Sequence, residues 1–440
     1  MLDKVRQPLK HRPFRRVWLG ETVSLVGDYS FEVAFIWLIL NETGSTTTLA
    51  TILLVQAVPR GVLMLVGGAV TDRLSPRAVM FCSHTLRGLA VATLGLIALT
   101  DHVSTWHLYA LGALTGVAEA FFWPAAGSII PSLLPPEHLA RGNALVGFGE
   151  QGARLLGPIL GGALVAAVGT STTILLNAFT FFFAALTVFG APRRQPADQA
   201  GDQTSDQSSD QAGEADEGAK SFTAIRREIV EGLRYAGRSR EIRTVLLLIG
   251  AAALSYSGLF SVGLPALAKT FPQGSLALGV LLSAWGLGQL IGTIGAVFTG
   301  LPRRWGLLII GMTLCEGTAF VLLGFLPSVW SAAVVLTLLG IGVAYSSDVA
   351  LPTFIQTRTP TDVLGRVSSV MELPRATLEP LSIAAMGLLV GWDIQWAFVL
   401  AAIPMLAVGL HLALDREARA LSTTAPEEHP AAKDPDPLVL

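Results

Sequence analysis

Apolar stretches of about 20 residues or more recur along this 440-residue sequence, and each is long enough to cross a bilayer as a helix. Six lie before residue 192, near 17–40, 47–71, 78–100, 106–132, 141–168 and 172–191. Six more follow residue 243, near 244–268, 276–300, 305–326, 329–356, 364–390 and 394–414. Because backbone polar groups in lipid must bond within their own segment, we expect an all-α membrane protein with twelve transmembrane helices.

The overall composition agrees with this expectation. The chain is 52% hydrophobic and 14% charged, whereas a soluble domain carries roughly 25% charged residues. A soluble fold is therefore excluded. The two cysteines, Cys82 and Cys315, both lie in apolar stretches, and we expect them to be buried free thiols.

The segment between the sixth and seventh spans differs sharply from both. Asp-Gln pairs repeat through about 195–219 without a large apolar side chain, which is typical of a solvated acidic linker. Residues 221–243 place apolar and basic residues on opposite sides of a helix, which predicts an amphipathic helix on the inner membrane surface. The sequence therefore predicts four units: an N-terminal half at 1–191, this cytoplasmic segment at 192–243, a C-terminal half at 244–415, and a disordered cytoplasmic tail at 416–440.

The positive charges orient the chain in the membrane. Of 30 Lys and Arg residues, four lie inside spans and one, Lys269, lies at an odd-numbered loop. The other 25 fall in the termini and the even-numbered loops. Since Lys and Arg accumulate on the cytoplasmic side, we predict a multi-pass protein of the plasma (inner) membrane with both termini cytoplasmic.

An internal repeat indicates that the two groups of six spans are related. The segment 135–141, Pro-Pro-Glu-His-Leu-Ala-Arg, realigns with 360–366, Pro-Thr-Asp-Val-Leu-Gly-Arg, at a constant shift of 225 residues. This shift places the fourth and fifth spans over the tenth and eleventh. We therefore expect two six-helix pseudo-repeats around a central cavity.

Charged residues inside the spans are the candidate functional groups, because a charge at bilayer depth is costly unless it faces a cavity or a partner. Asp28 and Glu32 lie one turn apart near the middle of the first span, where joint ionisation is disfavoured, so one of them is expected to carry a proton. Arg60 could neutralise either carboxylate or bind a substrate anion, and at its depth it is the expected partner of Asp28. Glu119 has no cation near it in sequence and is the rival proton carrier. A permanent structural pairing of these groups is the alternative.

The two halves also carry a matching pattern of charges. Glu150 and Arg154 lie four residues apart in the fifth span, and the 225-residue shift carries them onto Arg375 and Glu379 with the signs exchanged. This pattern predicts intramembrane ion pairs with either a structural or a gating role.

Residues 67–77 are predicted to form a short charged turn between the second and third spans, and we interpret this stretch as a gate element. The stretch resembles the signature that the major facilitator superfamily carries between its second and third membrane helices. The matching residues are Gly68, Asp72, Arg73 and Arg77. Ser75 and Pro76 replace a Gly and a basic residue of that pattern. The resemblance implies that the matching Asp contacts the start of the eleventh span, near 362–366.

A second motif lies in the fifth span, where Gly157, Pro158, Gly161 and Gly162 resemble the antiporter motif of exporters in that superfamily. A generic packing seam of small residues is the alternative. Further stretches resemble the drug:proton antiporter-3 branch, which includes macrolide-efflux and enterobactin-exporter-like proteins. These stretches are 42–45, 59–60, 121–125, 141–145 and 231–235.

The resemblance implies a proton-coupled exporter of amphipathic small molecules such as drugs, macrolides or siderophores, working by alternating access. A lipid or lysophospholipid translocator on the same fold, and a non-transporting sensor or scaffold that uses the acidic linker, remain as alternatives. No Walker loop, nucleophile elbow or metal-spaced His pair is present in the sequence, so we expect no enzyme, no metal and no cofactor beyond a proton gradient. The expected partners are a small-molecule substrate and the lipid bilayer, with no nucleic acid, and the expected state is a monomer.

Overall fold

The computed structural model describes residues 7–190, 240–299, 305–346, 351, 361–416 and 419. Within these ranges twelve helices are long and apolar enough to cross a membrane, which confirms the expected all-α fold. The first six are α1 (Arg12–Thr43), α2 (Thr46–Arg73), α3 (Pro76–Leu99), α4 (Thr105–Leu133), α5 (Pro136–Val168) and α6 (Thr170–Phe189).

The seventh span, α7, is one helical segment in three parts: Arg240–Gly258, a π-helical turn at Leu259–Gly263, and Leu264–Thr270. The remaining spans are α8 (Ser275–Thr299), α9 (Trp305–Leu323), α10 (Val329–Val343), α11 (Thr361–Trp392) and α12 (Ile394–Leu414). The acidic linker, most of the predicted amphipathic helix and almost all of the tail lie outside the described residues.

Local sequence signals set the helix ends. Gly44 ends α1 with φ of 62°, a left-handed conformation that suits glycine, and the Ser45 side chain accepts a hydrogen bond from the Thr48 amide at the start of α2. Ser75 caps α3 in the same way, and Pro76 occupies its first turn. The charged stretch 67–77 is therefore not mainly the turn that the sequence indicated: α2 continues to Arg73, and the Leu74 amide still donates to the Val70 carbonyl oxygen at 2.8 Å, so only Leu74 and Ser75 separate α2 from α3.

Helix packing repeats between the two halves. In the first half α1 packs on α5 and α6, α3 packs on α6, and α2 packs on α4. In the second half α7 packs on α11 and α12, α9 packs on α12, and α8 packs on α10. Each contact recurs six helices later, so the two six-helix pseudo-repeats are present. The halves meet where α5 packs on α8 and α2 packs on α11.

We call the end of the bundle that carries the loops after α1, α3, α5, α7, α9 and α11 the odd-loop end, and the opposite end the even-loop end. One core of buried apolar residues joins both halves, and its members include Ile39 and Leu49 of the first half and Leu267 and Leu278 of the second. Two smaller cores, around Phe14 and around Ile309, each belong to one half alone. The halves therefore share a core toward the odd-loop end and have separate cores toward the even-loop end.

Polar contacts reinforce the closure at the odd-loop end. The Lys269 ammonium donates a hydrogen bond to the Leu40 carbonyl oxygen at 2.7 Å. The hydroxyls of Thr46 and Thr47 both donate to the Gly387 carbonyl oxygen at 3.1 Å. These contacts tie α7 to α1 and α11 to α2.

The two cysteines do not behave as the sequence indicated. Both Cys82 and Cys315 are free, but both are exposed on the protein surface rather than buried. The expectation of burial was wrong because the lipid-facing side of a membrane helix is as apolar as its packed side.

Candidate functional site

A central cavity of about 330 Å³ lies mainly in the first half, with Ser261 and Ile383 contributed by the second. It contains all four residues that the sequence proposed for coupling, together with one that it did not: Asp28, Glu32, Arg60, Glu119 and Arg87. Aromatic rings form much of the remaining wall, namely Tyr29, Phe31, Phe35, Phe122, Trp123 and Phe181. The cavity therefore combines three carboxyl groups and two guanidinium groups with an apolar, π-rich lining.

Asp28 is bound by groups from two other helices. Arg87 of α3 forms an ion pair with it, with 3.4 Å between Nη1 and Oδ2. Asn177 of α6 donates a hydrogen bond to the other carboxylate oxygen at 3.4 Å. The Arg87 side chain is 5% exposed, so this is a largely buried guanidinium held opposite a single carboxylate.

Arg60 does not pair with Asp28, contrary to the sequence-based expectation. It forms an ion pair with Glu119, with 3.2 Å between Nη1 and Oε2, and Gln56 donates to the same carboxylate at 3.4 Å. The expectation was wrong because α2 packs on α4, which brings Arg60 against Glu119, while α3 supplies the cation for Asp28. Glu119 therefore has a cation partner that its own sequence neighbourhood does not contain.

Glu32 is exposed in the central cavity. Across the described residues, it takes part in none of the ion pairs within 4.0 Å. It lies one turn from Asp28 on α1. Of the three acids in the cavity, Glu32 is thus the one whose proton can be exchanged without breaking a salt bridge seen in this structure.

The glycine motif of α5 lies where three helices meet. A Cβ atom added at Gly157 would lie 2.4 Å from Tyr29 Cβ, and one added at Gly161 would lie 2.5 Å from the Ser30 carbonyl oxygen, both on α1. A Cβ atom at Gly162 would lie 2.6 Å from the Ser275 carbonyl oxygen on α8. The motif therefore lets α5 approach one helix of its own half and one helix of the other half.

Contacts between α5 and α8 continue around Pro158. The Ile159 amide donates to the Ser283 hydroxyl at 3.0 Å, and a Cβ atom at Gly279 would lie 2.4 Å from the Pro158 carbonyl oxygen. The missing amide hydrogen of Pro158 relaxes the helix locally. We call residues 154–162 of α5 and 275–286 of α8 the α5–α8 seam.

The predicted ion pair of α5 is present. Arg154 contacts Glu150 at 3.5 Å between Nη2 and Oε1, and both side chains are 40% exposed. Such a half-exposed i,i+4 pair contributes only about 0.3–0.5 kcal/mol to stability.

The repeat-related residues of α11, Arg375 and Glu379, line a second cavity of about 280 Å³ in the second half. This cavity also contains the buried Glu316, whose carboxylate accepts a hydrogen bond from the Tyr256 hydroxyl at 2.9 Å. The α11 members of the shared charge pattern thus lie in a polar cavity of the second half, whereas Glu150 and Arg154 form a half-exposed pair along α5.

The gate residues are only partly described. Asp72 and Arg73 fall in the last turn of α2, and the surroundings of Gly68 and the side chains of Asp72 and Arg73 lie outside what the structure describes. Arg77 lies in the first turn of α3, where its guanidinium donates to the Phe189 carbonyl oxygen and lies 5.2 Å from the centre of the Phe189 ring. Arg77 therefore contacts α6 of its own half.

Sequence reasoning missed His84 and the importance of Arg87. Both are polar residues inside the third apolar stretch, three positions apart, and this is the signal in the sequence that could have identified them. His84 is completely buried and contacts Glu21 of α1 at 2.8 Å between Nε2 and Oε1.

Comparison with known proteins finds one family model and several relatives that match most of the chain. The sequence model of the Major Facilitator Superfamily matches residues 17–373. The chain is 28% identical over 390 residues to the multidrug efflux pump Tap of Mycolicibacterium fortuitum, covering 86% of this chain and 89% of the relative. It is 25% identical over 377 residues to the enterobactin exporter EntS of Shigella boydii serotype 18, covering 86% and 85%.

The same architecture occurs among solved structures. A bacterial homologue of the iron transporter ferroportin, crystallised in an inward-facing state, superposes with a TM-score of 0.64 at 18% identity, covering 92% of this chain and 99% of that one. The fold and the family match over most of the sequence lead to one conclusion: the chain belongs to the Major Facilitator Superfamily of membrane transporters.

Proposed function

We propose that this transporter is a proton-coupled exporter of amphipathic small molecules, with organic cations as its preferred class. The observation that carries the proposal is the central cavity, in which three carboxyl groups face two guanidinium groups within an aromatic wall. If all five groups are ionised, the cavity carries one net negative charge, which either a bound cation or a bound proton neutralises. Binding both would leave a net positive charge in the cavity, which is unfavourable. Competition of this kind couples the two fluxes. The names of the relatives, a multidrug efflux pump and an enterobactin exporter, support export.

The proposed energy source is the proton gradient. Glu32 is the proposed exchange group, because the pairs Arg87–Asp28 and Arg60–Glu119 leave it without a salt bridge among the described residues. The two halves together enclose the pathway, so the proposed working unit is a monomer.

The proposed orientation places the even-loop end in the cytoplasm, as the distribution of Lys and Arg indicates. The shared apolar core and the contacts of Lys269 and Gly387 then close the outer side. The two separate cores allow the halves to stand apart on the cytoplasmic side. This combination supports an inward-open state, ready to receive substrate from the cytoplasm.

Transport into inverted membrane vesicles tests the proposal. Ethidium, a fluorescent macrolide and a fluorescent lysophospholipid are offered with and without a pH gradient. We expect gradient-dependent accumulation of ethidium that collapses when the gradient is dissipated. Ethidium accumulation that is the same with and without the pH gradient would contradict proton coupling. Accumulation of the lysophospholipid alone would favour a lipid translocator.

Deletion of the acidic linker distinguishes a transporter from a scaffold protein. Deleting residues 197–218 is expected to leave most of the ethidium transport intact, because an acidic tether without apolar side chains acts mainly as a spacer. Initial transport rates, normalised to the amount of protein in the membrane, make the comparison. Loss of most activity at normal expression would instead assign the linker a functional partner.

The gate residue Asp72 is expected to bias the balance between the two access states. The resemblance implies that Asp72 contacts the start of α11. Because an anion beside a helix N-terminus contributes about 0.3–1 kcal/mol, Asp72→Asn should shift the population severalfold toward the inward-open state. The measurement is maleimide labelling of Ala57→Cys, which lines the central cavity, from the cytoplasmic side. The background carries Cys82→Ser and Cys315→Ser, since both native thiols are exposed.

A matched control for this variant is Asp101→Asn. Asp101 is exposed in the loop after α3 and has φ of 54°, a conformation that asparagine also tolerates. If Asp72→Asn changes the labelling rate no more than Asp101→Asn does, Asp72 has no role in the gate.

A further inference from the structure

Two cavities of the first half are separated by a thin apolar partition. The smaller cavity, about 90 Å³, lies toward the even-loop end and is lined by Glu21 and Glu150 among mostly apolar residues. Leu25, Phe122 and Trp123 line both this cavity and the central one. These three side chains are therefore the wall between the two spaces.

A continuous set of polar contacts crosses this partition. Glu21 contacts His84 at 2.8 Å between Oε1 and Nε2. His84 in turn contacts Arg87 at 3.4 Å between Nδ1 and Nη2, and Arg87 contacts Asp28 at 3.4 Å. One end of the set lines the small cavity and the other end lines the central cavity.

The chemistry of arginine fixes the proton on His84. A guanidinium has only donors, so Nδ1 of His84 must accept the hydrogen bond from Arg87 with its lone pair. The ring proton of the neutral imidazole then sits on Nε2, where it is donated to the Glu21 carboxylate. An added proton held as an imidazolium forms a new N–H bond at Nδ1. The hydrogen bond from Arg87 to Nδ1 is then broken, and two positive groups face each other.

Aromatic rings confine Arg87 while leaving it two partners. Its guanidinium carbon lies 4.6 Å from the centre of the Phe122 ring and 4.4 Å from that of Phe181. Contacts of this kind stabilise the cation and keep it between the rings. When His84 no longer accepts from it, Asp28 is the partner that remains within reach.

Two further polar atoms point to this region as a hydrated site. Ser24 is 1% exposed and lies on α1 one turn after Glu21 and one turn before Asp28. Its hydroxyl has no hydrogen-bond partner among the described residues, and neither has Nε of the buried Arg87. Buried polar atoms of this kind normally bind water, which is also the vehicle for protons.

The charged groups around His84 come from few helices. Helix α1 contributes Glu21, which contacts His84 directly, and Asp28, which contacts it only through Arg87. Arg87 lies on α3, the helix of His84 itself. Helices α4 and α6 present the rings of Phe122 and Phe181 to the imidazole. Glu119 of α4 lies in the central cavity with Asp28.

We propose that Glu21 and His84 form a second proton-binding site, outside the central cavity, that controls the charge of Asp28 through Arg87. Without the added proton, His84 is neutral and Arg87 is shared between His84 and Asp28. With one proton bound, the imidazolium is held by the Glu21 carboxylate, Arg87 turns wholly to Asp28, and Asp28 stays ionised. This inference rests on the proposed proton-coupled export and adds a cytoplasmic control point to it.

The transport test uses the purified full chain in proteoliposomes with ethidium as the probe. The pH on the side of the even-loop end is varied over about 5.5–8, the range in which histidine titrates. We expect the pH dependence of proton-driven ethidium transport to move by about one pH unit or more, or to flatten, in His84→Gln and Glu21→Gln. The control His102→Gln changes an exposed loop histidine and should keep the wild-type profile. A wild-type profile in both His84→Gln and Glu21→Gln overturns the proposal.

A spectroscopic test does not depend on the transport of any substrate. Nitrogen NMR of histidine-labelled protein in nanodiscs identifies the His84 signal by its loss in His84→Gln or, if that variant does not fold, by assignment in the wild type. We expect the Nε2–H tautomer at high pH, protonation at lower pH, and a displaced titration in Glu21→Gln. A His84 signal that titrates identically in Glu21→Gln overturns the proposal. If wild-type protein shows no gradient-driven ethidium transport, the proposed function fails, and the NMR result still decides the proton site.

Discussion

Glu32→Gln is expected to abolish uphill, gradient-driven efflux of ethidium while downhill exchange continues. The amide keeps the size and polarity of the side chain but cannot release a proton, so the cavity and the movement of the halves remain while the coupling is lost. Glu32 is the acid of the central cavity that makes no salt bridge with any residue described in the structure. Uphill and downhill ethidium fluxes in proteoliposomes, with and without a pH gradient, measure the two properties separately.

Asp28→Asn and Glu119→Gln are the comparison variants, because each removes a carboxylate that is already paired. Asp28→Asn leaves the largely buried Arg87 without its ionic partner, which is strongly destabilising at sites of this type, so a reduced yield of folded protein is expected. Glu119→Gln leaves the half-exposed Arg60 free to hydrate, so folding is expected to be normal. If all three variants keep full proton-driven transport, the assignment of these carboxylates to coupling is wrong.

Gly162→Ala is expected to open the odd-loop end. Its new Cβ would lie 2.6 Å from the Ser275 carbonyl oxygen and 3.1 Å from Leu276 Cα, and neither backbone atom can move without moving α8. Overpacking of this kind costs about 1–3 kcal/mol, which is roughly a 5- to 150-fold change in the balance between the two access states. Gly279→Ala should act in the same direction from the other side of the α5–α8 seam, where its Cβ would lie 2.4 Å from the Pro158 carbonyl oxygen.

The same reporter, Ala57→Cys in the background without the native cysteines, measures this opening. Labelling by an impermeant maleimide should rise from the odd-loop side and fall from the even-loop side, opposite to the effect expected for Asp72→Asn. Gly152→Ala, on the same helix, is the matched control, since a Cβ atom there has no packing neighbour within 4 Å. Equal labelling of Gly162→Ala and Gly152→Ala would mean that the glycine motif does not set the distance between the halves.

The spans and the short-range pairs could be predicted from sequence because they depend on distances along one helix. Hydropathy located twelve spans, and the i,i+4 rule placed Arg154 against Glu150. The relation between the halves was visible in the repeat that starts at Pro135. Each of these signals is read along the chain and needs no knowledge of which helix packs on which.

The partners across helices could not be predicted in this way. Arg60 binds Glu119 and not Asp28 because the rotation of each helix about its own axis decides which side chains meet. Hydropathy does not report that rotation, since the lipid-facing and packed sides are both apolar. The same ambiguity explains why the exposure of Cys82 was not predicted and why His84, inside an apolar stretch, was not recognised as a partner of Glu21.

The shared apolar core toward the odd-loop end has a kinetic consequence. Access to that side requires this core to part between the halves, so that side chains such as Leu49 and Leu278 meet water entering the pathway. Hydration of apolar surface raises the heat capacity, whereas the separate cores around Phe14 and Ile309 can approach each other without being opened. The barrier to opening toward the odd-loop end should therefore have an enthalpy that grows with temperature. We therefore expect the Arrhenius plot of that half of the cycle to be curved and the plot of the return step to stay close to a straight line.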